Sequence, residues 1–143
     1  MDKKAIVTSK IFRFWFPVVI WAAVIFVLSA KPLPTTSEFY WKDFVVKKTA
    51  HLIEYAVFGT LVFRALINSG LSKKKAAIWS ILISILYSLS DEFHQSFTPG
   101  REPRIRDVIF DTIGAGLAVY ALWKLLAKAP KRLRSWAEKL QLS

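Results

Sequence analysis

The residues of this chain best suited to chemistry lie close together, between two apolar runs. Residues 90–101 read Ser-Asp-Glu-Phe-His-Gln-Ser-Phe-Thr-Pro-Gly-Arg. Among them, Asp91, Glu92 and His94 have side chains that can transfer protons or bind metal ions. Arg101 can bind a phosphate or carboxylate through both arms of its guanidinium group. This stretch is therefore the first candidate for a binding or catalytic site.

Two other segments carry polar side chains at helical spacing near the start of an apolar run. Lys48, His51 and Tyr55 follow an i, i+3, i+7 pattern and share one helix face. Asp107 and Asp111 stand four residues apart and also share a face. Ionisable groups at membrane depth cost roughly 2.5–3.5 kcal/mol each, so their presence favours a function or mutual pairing.

The residues on these helix faces, together with Glu92 and Arg101, form the candidate substrate-binding set. Asp91, His94 and Gln95 share a face in the same way, while Glu92 lies beside it. The set comprises Lys48, His51, Tyr55, Asp91, Glu92, His94, Gln95, Arg101, Asp107 and Asp111. The sequence does not assign a catalytic residue. Asp91, Glu92 and His94 are the candidates for general acid/base catalysis. No activated serine or cysteine nucleophile is evident.

Two alternatives to a substrate site remain open for the same residues. A divalent metal is the less favoured one, because no recognised ligand spacing such as His-Glu-x-x-His is present. Its candidate ligands would be His51, His94, Asp91 and Asp107, with Glu92 and Asp111 as further oxygen donors. The other alternative is structural: Asp91 or Asp107 would pair with Arg101, Arg104 or Arg106 and fix the adjoining loop.

Composition points to a membrane protein. The 143 residues suffice for one domain. Hydrophobic residues make up 54% of the chain, against about 45–50% for soluble domains in a count that also includes Gly. The net charge is +11, but the cations cluster at the ends of apolar runs and no recognition motif accompanies them. Nucleic-acid binding is therefore not expected, and the absence of cysteine excludes disulfides.

Four segments have the length and composition of membrane spans, at about 14–30, 48–67, 76–95 and 105–124. The third has only 15 uncharged residues before Asp91, so we expect its helix to continue through Gln95, with Ser72 as N-cap. We favour a retained first helix over a signal peptide. Residues 31–47 are either an aromatic interfacial segment or an ordinary loop.

Charge distribution predicts the orientation of these spans. Four Lys or Arg precede the first span, four lie in 64–75 and six follow residue 123, while the other side holds the remaining seven. The positive-inside rule then places both termini in the cytoplasm. Residues 131–142 space apolar and basic side chains as an amphipathic helix, which we expect to contact an anionic leaflet.

The predicted fold is an all-α integral membrane bundle of four transmembrane helices with a C-terminal amphipathic interfacial helix. It divides into a transmembrane domain, residues 1–126, and a basic amphipathic cytoplasmic tail, residues 127–143. Helices two and four run opposite to helix three. The start of the second, the end of the third and the start of the fourth therefore share one membrane face, where the candidate residues meet.

Three motifs together resemble the VanZ-like family over about residues 14–126. They are Lys48-x-x-His51-x-x-x-Tyr55, Asp91-Glu92-x-His94-Gln95-x-Phe97-x-Pro99-Gly100-Arg101, and Asp107-x-x-x-Asp111-x-x-Gly114. The second motif is the specific one. Two departures are visible: the family often has Asp-Lys where this chain has Lys47-Lys48, and often Asn at the position of Asp111.

The resemblance implies a small multi-pass protein of the bacterial cytoplasmic membrane, in a family named for resistance to teicoplanin, a lipid-bearing glycopeptide. The expected function is to bind or handle the head group of a lipid, a lipoglycopeptide or a cell-wall lipid intermediate at an outward-facing polar site. One alternative is an intramembrane hydrolase or transferase acting on a lipid-linked substrate. The other is a non-catalytic membrane partner protein whose polar cluster is structural.

Overall fold

The fold is a bundle of helices, seen in a computed structural model that describes residues 3–30, 40–98 and 103–142. Its elements are α1 (Lys3–Ser29), α2 (Tyr40–Asn68), α3 (Lys73–Gln95), α4 (Ile105–Tyr120) and α5 (Lys131–Lys139). A π-helical turn, Ala121–Leu125, and a 3-10 turn, Leu126–Lys128, prolong α4. The described residues contain no strand, which confirms the all-α prediction.

Four helices are long and apolar enough to cross a membrane. The spans are Ile11–Ser29, Phe44–Asn68, Lys73–Gln95 and Ile105–Lys128. Each exposes large apolar side chains on its outer surface, among them Phe12, Val46, Leu86 and Leu117. An exposed apolar surface of this extent suits lipid rather than water. The chain is thus a multi-pass membrane protein, as the composition predicted.

Two open points about helix boundaries are answered in part. Residues 40–47, which the sequence left between an interfacial segment and a loop, form the first two turns of α2, while 31–39 lie outside the described residues. The predicted extension of α3 through Gln95 is confirmed. Ser72 caps that helix, since its hydroxyl accepts a hydrogen bond from the Lys75 backbone N–H at 3.5 Å.

Helix α2 is the centre of the bundle and packs against α1, α3 and α4. Helix α2 approaches α4 closely at two glycines, one on each helix. A Cβ atom at Gly114 would lie 2.2 Å from the backbone oxygen of Leu52, and one at Gly59 would lie 3.0 Å from Cβ of Ala115. Small residues at these positions therefore set the distance between the two helices.

The buried face of α3 is small and hydroxylated rather than apolar. Ala76, Ala77, Ser80, Ser84 and Ser88 all lie on it. The Ser80 hydroxyl donates to the Ala76 carbonyl at 2.6 Å, and the Ser84 hydroxyl donates to the Ser80 carbonyl at 2.8 Å. These back-bonds satisfy the Ser80 and Ser84 hydroxyls within the helix, so this part of α3 can pack closely without unpaired hydroxyl groups.

The C-terminal helix α5 is tied to the end of α2. The Asn68 side-chain amide donates to the backbone carbonyl of Gln141 at 2.9 Å. Ala137 is buried, whereas Leu133 and Trp136 are exposed. An exposed apolar face on a basic helix has the character of an interfacial element, and its contact with an anionic leaflet remains a prediction.

Candidate functional site

The polar side chains of the bundle meet at one end, as the predicted topology required. The end of α1, the start of α2, the end of α3 and the start of α4 all contribute. Most of these side chains are buried, and each carboxylate has a named partner. We call this cluster the polar network; its members are Ser29, Lys48, His51, Ser88, Asp91, Glu92, Gln95, Asp107 and Asp111.

Asp111 is the most deeply buried carboxylate of the network. It is 1% exposed, and its Oδ1 lies 3.0 Å from Nδ1 of His51. Its other oxygen accepts a hydrogen bond from the Ser88 hydroxyl at 2.5 Å. One carboxylate thus joins α2, α3 and α4 and fixes the orientation of the imidazole ring. The serine bonds the carboxylate rather than the histidine, so these residues are not arranged as a nucleophilic triad.

Lys48 and Asp107 form a second connection between α2 and α4. Their side chains make a buried ion pair. The Lys48 ammonium also lies 5.7 Å from the Phe44 ring centroid and 5.8 Å from that of Phe110, within the range of cation–π attraction. A buried ion pair needs such additional contacts to offset desolvation.

Asp91 connects α3 to α1. The Ser29 hydroxyl donates to its Oδ1 at 2.6 Å, and the Gln95 amide donates to its Oδ2 at 2.9 Å. Gln95 also lies 3.3 Å from the Ser29 hydroxyl, which closes a three-residue cluster. The last turn of α1 is therefore anchored to the last turn of α3.

Glu92 and His94 have different surroundings from their neighbour Asp91. The backbone N–H of Arg104 donates to Glu92 Oε2 at 2.6 Å, which ties the end of α3 to the residue before α4. The His94 ring stacks on Phe26 of α1, with centroids 3.9 Å apart. His94 therefore lies against α1, apart from the His51–Asp111 pair.

Tyr55 is fully buried below the network. Its ring packs at 6.0 Å from that of Phe58 and at 6.4 Å from that of Tyr87, and the Tyr87 hydroxyl donates to the Ala22 carbonyl at 2.6 Å. Glu54, which the sequence left free to point either way, is half-buried, and its backbone carbonyl accepts from the Trp21 indole at 2.9 Å.

The structure thus brings Lys48, His51, Asp107 and Asp111 together, as the sequence predicted, in the pairs Lys48–Asp107 and His51–Asp111. Arg101, predicted to contact a head group, lies outside the described residues. Within the described ranges, the two acids that the structural alternative paired with arginines are instead held by Lys48 and by Ser29 with Gln95.

Two members of the network, Ser29 and Ser88, were not foreseen from the sequence. A serine inside an apolar run carries no charge and resembles a helix-packing residue. One signal was present: Ser80, Ser84 and Ser88 repeat every four residues and lead to Gln95 on the same face. For Ser29, which ends the first apolar run, no comparable pattern exists.

A groove opens beside the network, between the end of α3 and the start of α4. It has a volume of about 260 Å³. Its lining residues are Leu89, Glu92, Phe93, Ser96, Pro103, Arg104, Ile105 and Val108. The walls are mostly apolar, with one acidic and one basic residue, Glu92 and Arg104, among the lining residues, so the groove combines apolar surface with ionisable residues.

The metal alternative finds no support in the described ranges 3–30, 40–98 and 103–142. Within them, no three His, Asp or Glu side chains are grouped so as to hold a metal ion. His51 faces α4, where it contacts Asp111, whereas His94 faces α1, where it stacks on Phe26. The two histidines therefore do not converge on one centre.

A comparison with models of protein families gave a match. A family model described as VanZ/LLP1 matches residues 11–127, which include the first three spans, all but the last residue of the fourth, and every predicted site residue. Neither the comparison with curated proteins nor that with solved structures gave a match.

Proposed function

Because the chain belongs to the VanZ/LLP1 family and is a multi-pass membrane protein, we propose that it binds the anionic head group of a membrane amphiphile beside the polar network. The amphiphile would be a lipid, a lipoglycopeptide such as teicoplanin, or a cell-wall lipid intermediate. The groove between α3 and α4 is the observation that carries this proposal.

The apolar walls of the groove suit a hydrocarbon chain. Phe93 and Ile105 are largely exposed on either side of it, and Leu89 and Val108 lie deeper along the same two helices. A chain held there would remain in contact with the bilayer. Sites of this kind combine predominantly apolar lining with a few polar groups that fix orientation.

Arg104 supplies the charge that an anionic head group requires. Its guanidinium can bind phosphate or carboxylate with two parallel hydrogen bonds. Glu92 fixes the backbone of Arg104 through the 2.6 Å hydrogen bond, so the acid positions the arginine. Arg101, in the Pro-Gly-Arg motif three residues earlier, is proposed as a second cation for the same head group.

The polar network supports this role by holding the groove walls in place. Asp111 joins α3 to α4 through Ser88, and Glu92 joins the same two elements through Arg104. The Ser88–Asp111 bond lies in the interior, where hydrogen bonds are strong and water does not compete, and the Glu92–Arg104 bond is partly buried. The network residues are therefore proposed chiefly as the support of the site rather than as ligands. With both termini in the cytoplasm, as proposed, the groove faces outward.

The test measures the binding of defined amphiphiles to the purified protein, with native mass spectrometry as the readout. A polyprenyl phosphate and phosphatidylglycerol serve as anionic probes. Arg104→Gln should weaken binding about tenfold, the effect of losing a charge-assisted contact. Arg106→Gln is the matched control, because Arg106 is exposed and lies 5.5 Å from the Phe44 ring, outside the groove lining.

A second pair of variants tests the groove itself. Ser96→Trp would fill it, whereas Ser90→Trp would not, although both serines are exposed, at or just after the end of α3, and donate to the carbonyl three residues earlier. Binding should fall for Ser96→Trp alone, and a teicoplanin-susceptibility phenotype should follow the same order. Equal binding by both tryptophan variants would contradict the proposal.

The His51–Asp111 pair favours one further candidate, an intramembrane hydrolase or transferase. A carboxylate that fixes an imidazole through Nδ1 is the arrangement of a general base. Here His51 would activate a water or a hydroxyl toward a lipid-linked substrate. If the His51→Asn protein still releases product, this chemistry is excluded. If the resistance phenotype is unchanged both in His51→Asn and in Arg104→Gln, the chain is instead a non-catalytic membrane partner protein and the network has only a structural role.

A further inference from the structure

A second groove lies at the opposite end of the bundle, where α3 begins and α4 ends. It has a volume of about 220 Å³, and its lining includes Lys73, Leu122, Trp123, Leu126, Arg134 and Glu138. Drug-sized ligands occupy pockets of roughly 300–1,000 Å³, so this groove suits a head group rather than a whole lipid molecule.

An irregular helix end shapes this groove. Residues 121–125 form a π-helical turn and residues 126–128 a 3-10 turn. A π-helical turn contains about one residue more than an α-helical turn and rotates the following side chains by roughly 100°. The turn is one factor that places Trp123 and Leu126 in the groove wall. Single π turns occur frequently at functional sites.

Helix α5 forms the other wall and is held against the bundle. Gln141 adopts a left-handed φ of 57°, and the Leu142 N–H donates to the Ala137 carbonyl at 2.9 Å, which closes the helix end. Asn68 of α2 then binds the Gln141 carbonyl. Arg134 and Glu138, one turn apart on α5, are thereby presented to α3 and α4.

The charges of this groove match a zwitterion. Lys73 and Arg134 carry positive charge and Glu138 negative charge, and all three line the same space. Among the described residues, none of the three takes part in an ion pair. Two cations and one carboxylate around a head-group-sized space complement a phosphate monoanion joined to an ammonium group.

We propose that this groove binds the head group of an aminophospholipid. The phosphate lies between Lys73 and Arg134, and the primary ammonium donates to the Glu138 carboxylate. Trp123 supplies an aromatic surface at the membrane boundary, where indole rings are favoured. The spans that end here expose Leu82 and Leu117 along their length, so the acyl chains meet apolar surface. The proposal concerns a different end of the bundle from the α3–α4 groove and does not depend on it.

The experiment compares three lipids that share a phosphate. Full-length protein in detergent is titrated with phosphatidylethanolamine, phosphatidylcholine and phosphatidylglycerol, and bound lipid is counted by native mass spectrometry. Phosphatidylethanolamine should bind about tenfold more tightly than phosphatidylcholine, whose quaternary ammonium cannot donate a hydrogen bond. Glu138→Gln should abolish that preference, and Arg134→Gln should weaken the binding of all three.

Arg132→Gln is the matched control, since Arg132 is an exposed cation of α5 outside the groove lining. It should leave all three affinities unchanged. Equal binding of the ethanolamine and choline lipids, or a preference that survives Glu138→Gln, would overturn the proposal. Displacement of bound lipid by millimolar inorganic phosphate would also overturn it and would identify a site for the free ion. Tighter binding of phosphatidylglycerol would overturn it as well and would identify a site for anionic lipid.

Discussion

His51 on α2 and Asp111 on α4 lie with Nδ1 and Oδ1 3.0 Å apart in the interior of the bundle. The same carboxylate accepts the Ser88 hydroxyl of α3. A single side chain therefore connects three of the four spans, in surroundings where an unpaired polar group is costly. This connection makes Asp111 the residue on which we expect the stability of the network to depend most.

Removing the Asp111 carboxylate should destabilise the bundle. Asp111→Ala leaves His51 and Ser88 without their buried acceptor and should lower the free energy of unfolding by about 2–5 kcal/mol. Asp111→Asn keeps a carbonyl oxygen in place and should lower it by at most about 1.5 kcal/mol. Thermal unfolding in detergent measures both variants, and equal loss in the two would show that charge rather than hydrogen bonding is needed.

The Lys48–Asp107 ion pair provides a second prediction. Lys48→Ala leaves a buried carboxylate uncompensated and should lower the free energy of unfolding by about 3–5 kcal/mol. Replacing both partners, as Lys48→Met with Asp107→Leu, should recover most of that loss, because no charge is then buried. With the single variants Lys48→Met and Asp107→Leu measured as well, the comparison is a double-mutant cycle, and strict additivity would mean that the two side chains do not interact.

The close approach of α2 and α4 predicts a contrast between two glycines of one helix. In Gly114→Ala the added methyl group would collide with the Leu52 backbone, so the helices must separate, at a cost of about 1–3 kcal/mol or more. In Gly116→Ala the methyl group has nothing within 4 Å, and stability should be unchanged or slightly raised. Similar melting temperatures for the two variants would contradict the packing described above.

The orientation of the bundle can be tested with single cysteines, since the chain has none of its own. A cysteine at Thr98, which follows α3, should react with an impermeant thiol reagent added to intact cells. A cysteine at Lys74, an exposed residue in the first turn of α3, should react only after the membrane is opened. The reverse labelling pattern would invert the proposed topology.

The location of the polar network could be predicted from the sequence, because it follows from helix count and direction. Length alone required α3 to continue through Gln95, and this placed Asp91 at the same end of the bundle as the starts of α2 and α4. The helical spacing of Lys48, His51 and Tyr55 correctly indicated one buried face.

The pairings could not be predicted, because they depend on helix rotation. Periodicity identifies which residues share a face but leaves each helix free to turn by tens of degrees about its axis. Such a turn decides whether Asp107 meets Lys48 or an arginine of the loop. The contact between Ser29 and Asp91 further depends on how deep α1 sits beside α3, which no residue pattern encodes.

The contact between Ser29 and Asp91 constrains the order of membrane insertion. The ribosome delivers α1 some 60 residues before the carboxylate that its last turn must bind. Helix α3 in turn arrives with Asp91 and Glu92 at its end and cannot rest alone in lipid without an energetic penalty. We therefore expect the growing chain to keep α1 and α2 near the insertion machinery until α3 can join them, so that the bundle assembles in a cooperative step rather than in four separate ones.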